Sequence, residues 1–319
     1  MIDTCKKPLI EKQLPASEGT KDPVCPYCGG DSIFFVSATD QNRHTTSHIF
    51  RYRQCGNCRL VFMSPIPADL RPFYAGGYQK IPDSLTELRE IAEHEKYRLK
   101  PVLKYKSRGN LLEIGPWIGI FSCNAKESGF NVTAIEIDQD CVDYLNRTVG
   151  IRAIQSSNPA EALSQMDEKF DVIVLWHCLE HLPDPWLVIQ EAAKQLVPGG
   201  ILLVAIPNIE SYEFSILKGN WKHLDTPRHL YFYPAGSLVE LCQANGLRKL
   251  EVETMDELSA ALGKDAWHTF AASKIPVKYV RGAFARLLCS RAQRKQRKKK
   301  NLGSGITAVF QRSVSLPDE

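Results

Sequence analysis

Four cysteines and two groups of histidines are the residues of this chain best suited to chemistry. Cys25 and Cys28 form CPYC, Cys55 and Cys58 form CGNC, and 26 residues separate the pairs. Each C-x-x-C can sit on a tight knuckle turn, with Gly29 and Gly56 supplying turn-compatible backbone. Together the four thiolates complete a closed tetrahedral zinc site. A redox-active C-x-x-C occurs singly beside a βαβ unit, whereas these pairs flank a β-prone stretch. Four cysteine ligands leave no open coordination position, so the expected zinc is structural.

The histidines raise a different chemistry. LWHCLEHLPDP, Leu175 to Pro185, carries the H-x-x-E-H spacing of an inverted zinc-protease helix in His177, Glu180 and His181. Such a helix must continue for several turns. Asp171 to Leu175 reads instead as a buried strand, and Pro183 and Pro185 end any helix at once. The metalloprotease reading fails, and the motif is taken as the end of a strand and its turn. His181 and Glu180 then either face a cleft or are satisfied by neighbouring backbone. NWKHLDTPRHLYFYP holds His223, Arg228 and His229 in an aromatic-rich loop.

The elements that must position these groups are readable from residue 110 onward. Short apolar runs (NLLEIG, NVTAIEID, IRAIQ, FDVIVLWH, GGILLVAIP) alternate with helix-length segments. That is the pattern of parallel strands covered by helices on both faces, with crossovers long enough for right-handed βαβ units. Glu113, Gly115 and Gly119 fall at the first strand-to-helix turn, where glycine permits a tight bend and the helix start offers unpaired N–H groups. About twenty residues on, the second strand ends in Glu136. A carboxylate there can accept both hydroxyls of a ribose, or simply be solvated. Ser84-Leu-Thr-Glu87 predicts a helix start running to Lys104. A further helix spans Ser237 to Asn245 and stops at Gly246; LRKLEVET and GITAVFQR give the closing strands.

In this order, E-I-G-x-x-x-G, A-I-E-I-D, FDVIVLWHxLEHLPDP and LVPGGILLVAIPN resemble the class I S-adenosylmethionine-dependent methyltransferases over roughly residues 105–255. The CPYC…CGNCRLVFMSPIP…FYAGGY portion is similar to the zinc-ribbon leader of a bacterial subgroup related to sugar C-methyltransferases and ubiquinone-biosynthesis-type O-methyltransferases. The resemblance implies an α/β, Rossmann-like fold: a seven-stranded sheet with a reversed last strand, preceded by a small N-terminal zinc ribbon with four cysteine ligands. It implies that Glu113, Gly115 and Gly119 frame the methionine moiety, Glu136 holds the ribose, and Ser156 to Asn158 border the adenine. Trp176 and His177 would pass beneath the cofactor. Pro116-Trp117-Ile118 replaces the third glycine of the first motif, which puts the Trp117 indole beside the cofactor. Asn158 stands where an acid often follows strand three. His229 matches the base histidine of the sugar C-methyltransferase loop, with His223 its competitor. The tyrosine three residues before that base is Thr226, which points away from C-methylation. The alternative is that Arg228 and His229 bind an anionic substrate group.

Bulk properties bound the rest. The chain has 319 residues, ten cysteines and net charge +4. No run approaches the ~18 apolar residues of a membrane span, and the N-terminal stretch lacks a secretory apolar core. A reducing, cytoplasmic setting is therefore expected, in which thiols serve metal sites or cores. Residues 274–300 hold eleven Lys or Arg and no acid; the remainder has 29 basic against 36 acidic residues. Val280, Ala283, Phe284, Leu287 and Leu288 repeat there at helical spacing, so a helix is expected to pack this stripe over the cleft. Its charge would meet solvent or an anionic surface such as an inner membrane leaflet. No aromatic interrupts Arg291 to Lys300, which disfavours nucleic acid. The expected division is a leader (1–22), ribbon and connector (23–80), transferase core (81–255), basic helical insertion (256–302), and a last strand with tail (303–319). The expected activity is methyl transfer to a hydroxyl of a sugar, glycan or secondary metabolite. The alternatives are a methyltransferase acting on nucleic acid or protein, or a non-catalytic binding module.

Overall fold

The computed structural model describes residues 22–74, 80–254, 267, 271, 278–298 and 301–313. The expected leader, most of 256–277, and the tail beyond residue 313 lie outside the described residues.

The chain opens with strands β1 (Ser32–Ala38), β2 (Phe50–Cys55) and β3 (Val61–Met63), then the short helix α1 (Arg71–Tyr74). Helix α2 (Leu85–Glu93) begins at Ser84, whose hydroxyl accepts from Glu87 N as the capping motif requires. It does not reach Lys104. A 3-10 turn at Lys96–Leu99 intervenes before α3 (Lys100–Leu103), whose first turn accommodates Pro101 because no N–H is needed there.

Then strands and helices alternate: β4 (Gly109–Ile114), α4 (Ile120–Glu127), β5 (Phe130–Glu136), α5 (Gln139–Tyr144), β6 (Arg152–Gln155), α6 (Pro159–Ser164), β7 (Phe170–Trp176), α7 (Pro185–Gln195) and β8 (Leu196–Pro207). Helix α8 (Tyr212–Leu217), β9 (Tyr231–Phe232), α9 (Ala235–Ala244), β10 (Leu247–Glu253), α10 (Lys278–Lys298) and β11 (Gly305–Arg312) complete the chain. Gly246 takes φ 76° just beyond α9, the left-handed stop expected of it.

Seven strands form one sheet in the order β10-β11-β8-β7-β4-β5-β6. Strands β8, β7, β4, β5 and β6 pair in parallel, while β11 runs antiparallel between β8 and β10. The Rossmann-like sheet with one reversed strand is therefore present. Strands β4, β7 and β8 are buried on both faces, so their side chains read as continuous apolar runs. The carboxyl ends of β4, β5 and β7 meet where the strand order reverses. That is the place an open α/β sheet offers a ligand.

A second sheet has the order β1-β2-β3-β9. Its last strand comes from the transferase half: Val61 pairs with Phe232 and Phe62 with Tyr231. The ribbon and the strand that follows the His229 loop therefore share one sheet, which the sequence does not reveal. Helix α10 differs from the expected stripe. It buries Ala285 and Ala292 and half-buries Leu288 and Cys289, whereas Leu287 stays 48 % exposed. The covered face meets α8. No helix among the described residues is long and apolar enough to cross a membrane.

Candidate active site

The ribbon fits a tetrahedral ion. Cys25 Sγ lies 3.6 Å from Cys58 Sγ and Cys28 Sγ 3.4 Å from Cys55 Sγ, and all four sulfurs fall within 4.8 Å of one another. Zinc–sulfur bonds of ~2.3 Å place sulfurs roughly 3.8 Å apart in a tetrahedron, so the cradle matches. Gly29 (φ 71°) makes the left-handed turn of the first knuckle, as expected. In the second, Arg59 (φ 62°) takes that conformation and Gly56 does not. The ribbon rests on the core through Ser237 Oγ, which donates to Cys58 O at 2.8 Å, and through Tyr27 against Trp186.

At the end of β4 the chain bends through two obligatory glycines. Gly115 has φ 72°, and a side chain there would come within 2.5 Å of Cys178 Sγ; Gly119 has φ 82° and would strike Leu145. Trp117 holds φ 53°, a conformation costly for an indole-bearing residue. Its N–H donates to Glu136 Oε2 at 2.8 Å, and Ile137 and Asp138 N–H donate to Oε1. The carboxylate closing β5 is thus tied to the bend after β4, joining two pieces of the expected cofactor site. The indole itself is half-buried and packs against the apolar cluster of α2, α4 and β5. Glu113 is 2 % exposed and accepts from Ser122 Oγ at 2.5 Å. Burial pushes its pKa up to about 7, and burial likewise raises Glu136.

Trp176 ends β7, and the guanidinium of Arg98 lies 5.7 Å over its ring. Asn158 sits farther out, at the start of α6, where its side chain accepts from Glu161 N as a helix cap. A depression of about 690 Å³ flanks β6 and α6 around Arg152 to Glu168. It touches Ser156 but lies off the sheet's edge, away from the ends of β4 and β7.

The H-x-x-E-H motif is split, as proline placement demanded. His177 (φ 48°) follows β7, a 3-10 turn covers Leu179–His181, and α7 starts only at Pro185. Its Glu180 is 1 % exposed. His177 Nδ1 stands 3.5 Å from Glu180 Oε1, and His229 Nε2 stands 3.9 Å from the same oxygen. The rings of His181 and His229 meet edge to face at 4.4 Å. His177, His181 and His229 therefore converge on one buried carboxylate. Burial tends to raise Glu180, but the three imidazoles outweigh it and hold the carboxyl below its usual range. Burial lowers His181, and burial with the neighbouring His181 lowers His229 to about 4, so both rings are neutral at pH 7.

The loop carrying His229 is held by residues that spacing alone cannot point to. Tyr52, fully buried on β2, donates from its hydroxyl to His229 O at 2.9 Å and meets Thr226 Oγ1 at 3.1 Å. Tyr74 of α1 reaches His181 Nδ1 at 3.0 Å. His223 supplies the carbonyl that meets His229 Nδ1 at 2.8 Å, while its own ring lies tilted against Trp221, centroids 5.1 Å apart. Arg228 is completely buried; it bonds Asp225 and Phe73 O and pairs with Asp40 at 3.3 Å. Those partners occupy the guanidinium, so Arg228 pins the loop and does not serve as the anion binder considered from the sequence.

The profile of the methyltransferase domain family matches residues 86–252, just over half of the chain. The chain belongs to this family. Among curated relatives it resembles the ubiquinone biosynthesis O-methyltransferase of Coxiella burnetii, with 24% identity over 45% of this chain and 65% of that protein. It also resembles that of Vibrio cholerae, with 29% identity over 41% and 57%. The chain thus spans less than two thirds of these relatives' length. Among solved structures, a SAM-dependent methyltransferase from Archaeoglobus fulgidus aligns with TM-score 0.49 and 19% identity, covering 70% of this chain and 96% of that one. The [4+2]-cyclase SpnF aligns with TM-score 0.46 and 19% identity, over 77% and 93%.

Proposed function

We propose that this protein moves a methyl group from S-adenosylmethionine to a hydroxyl of a small molecule: a sugar, glycan or secondary metabolite. One observation carries the reading: within a methyltransferase-family sheet, a glycine bend tied to a strand-end carboxylate adjoins a buried cluster able to handle a proton. Glu136 would accept the ribose hydroxyls, and Glu113, Gly115 and Gly119 would frame the methionine end. Trp117, Trp176 and His177 would border the cofactor. Asn158, already a helix cap, would approach the adenine only at its edge.

The sulfonium is itself a strong electrophile, so catalysis is mainly alignment and proton removal. As the acceptor oxygen bonds to the methyl carbon, the carbon–sulfur bond breaks and the hydroxyl proton must leave. His229 is the assigned base, with His181 beside it and His223 fixing its ring through a carbonyl. Zn2+ would be structural, held by Cys25, Cys28, Cys55 and Cys58, and would maintain the sheet that carries β9. The reading places the protein in the cytoplasm. Segment 274–300, where Arg286, Arg291, Arg294 and Lys295 are exposed, would be available to an anionic membrane surface.

Isothermal titration with S-adenosylmethionine tests the cofactor side. Glu136→Ala should weaken binding about tenfold or more, the loss of one or two charge-assisted hydrogen bonds. Equal affinities would remove Glu136 from the site.

A further inference from the structure

Neither oxygen of the Glu180 carboxylate accepts a hydrogen bond among the described residues. His177 Nδ1 at 3.5 Å and His229 Nε2 at 3.9 Å are long for charge-assisted bonds, so His177 offers at best one weak donor. A buried carboxylate with no donor at full hydrogen-bond strength is costly, so a cation belongs beside it.

The two histidines indicate which cation. His229 Nδ1 lies 2.8 Å from His223 O, and His181 Nδ1 lies 3.1 Å from Arg228 O. A carbonyl oxygen can only accept, so each Nδ1 that bonds one carries the hydrogen in the neutral ring, with the Tyr74 hydroxyl, 3.0 Å away, a second neighbour of His181 Nδ1. A ring so bonded is left with a bare Nε2 lone pair. A ring nitrogen of each histidine and a Glu180 oxygen lie within 4.8 Å of one another. A bare His229 Nε2, a nitrogen of His181 and a carboxylate oxygen are thus gathered at one buried point.

We propose that Glu180, His181 and His229 bind a divalent first-row transition metal ion through one carboxylate oxygen and two imidazole nitrogens. Anchoring of the remote N–H to a carbonyl, seen in both rings, is the arrangement that orients ligating histidines and fixes their tautomer. Imidazole donors favour zinc, iron or nickel over magnesium and calcium, which prefer oxygen cages. Metal–ligand bonds of about 2.0–2.2 Å would draw the 3.9 Å separation of Glu180 Oε1 and His229 Nε2 in by a few tenths of an ångström. The site takes two members of the H-x-x-E-H string from a turn, and its third ligand from a loop 48 residues farther along the chain than His181.

Three protein ligands leave a coordination position open. An acceptor hydroxyl bound there would lose its proton far more readily than a free one, and His229 would act as a ligand in place of a base. Only this last step rests on the methyltransferase reading.

The test is metal content by mass spectrometry of full-length protein reconstituted with excess Zn2+ and freed of unbound ion. Wild type should hold two zinc ions per chain, one of them in the ribbon. Glu180→Gln and His229→Ala should each hold one, while the exposed His48→Ala control keeps two. Either cluster variant suffices should the other fail to fold. One zinc in wild type, or two in a folded cluster variant, overturns the proposal. S-adenosylmethionine titration of the same samples keeps the outcomes apart: absent cofactor binding with two zinc ions would sink the methyltransferase reading and leave the metal site standing.

Discussion

The two halves of the proposed site, a cofactor side and an acceptor side, are built in opposite ways. On the cofactor side, Glu113, Gly115, Gly119 and Glu136 come from two adjacent parallel strands and the bend between them, within 24 residues of sequence. On the acceptor side, His229 is held by Tyr52 and His223 and packed against His181, which Tyr74 braces; Asp40 anchors its neighbour Arg228. Those residues are scattered over nearly 190 positions. Backbone geometry fixes the first side, so it should withstand damage elsewhere. The second is only as ordered as the ribbon sheet that contributes its wall.

Breaking the ribbon should separate the two sides most sharply. Apparent binding energies of structural zinc reach about 10–16 kcal/mol, enough to fold or unfold a small module. The double substitution Cys28→Ala with Cys55→Ala should therefore disorder β2 and β3, release β9 and cut turnover about 100-fold or more. S-adenosylmethionine affinity should stay within about threefold of wild type, measured by titration on the same protein. A parallel collapse of cofactor affinity would mean that the two sides form one cooperative unit.

A smaller loss should come from within the acceptor side. His229→Ala removes the assigned base, or a ligand, and should lower kcat about 10²- to 10⁴-fold with cofactor affinity unchanged. Turnover equal to wild type would retire His229 from the chemistry and move attention to His181.

What could be read in the sequence follows the same division. The parallel run, the knuckle turn at Gly29 and the glycine bend are local patterns, in which spacing alone fixes geometry, whereas the reversal of the GITAVFQR strand was implied only by the family resemblance. The tie between Glu136 and Trp117 N–H was not legible, because it depends on β4 and β5 lying side by side. Nor was the gathering of Glu180, His181 and His229, which needs β9 to pair with β3. Tyr52 carries no signal at all: in the sequence it is one aromatic in a β-prone stretch. Arg228 misled for a related reason, since a cation beside a base histidine suggests a substrate contact until Asp40 and Asp225 are seen to enclose it. The stripe on α10 misplaced the buried face because periodicity shows that a helix has an apolar side without showing what covers it.

The finest test concerns the cost stored on the cofactor side. Glu113 is buried beside the Ser122 hydroxyl that donates to it, and burial raises its pKa from 4.5 to about 7. The unfolded chain releases this proton above pH ~4.5, whereas the folded chain keeps it until about pH 7. Its contribution to stability is therefore present in full below pH ~4.5 and lost as pH rises through 7, a decline of at most about 3 kcal/mol. Glu113→Gln keeps an acceptor for Ser122 Oγ and cannot ionise. Urea unfolding of the cofactor-free proteins should then show wild type losing stability relative to the variant between pH 5 and 8. Saturating S-adenosylmethionine should shrink that difference, because the amino group of its methionine end would favour the charged carboxylate. Superimposable pH profiles would show that Glu113 ionises as freely in the fold as in water. The cofactor side would then be as relaxed as its local construction allows, and the contrast with the enclosed Glu180 carboxylate would widen.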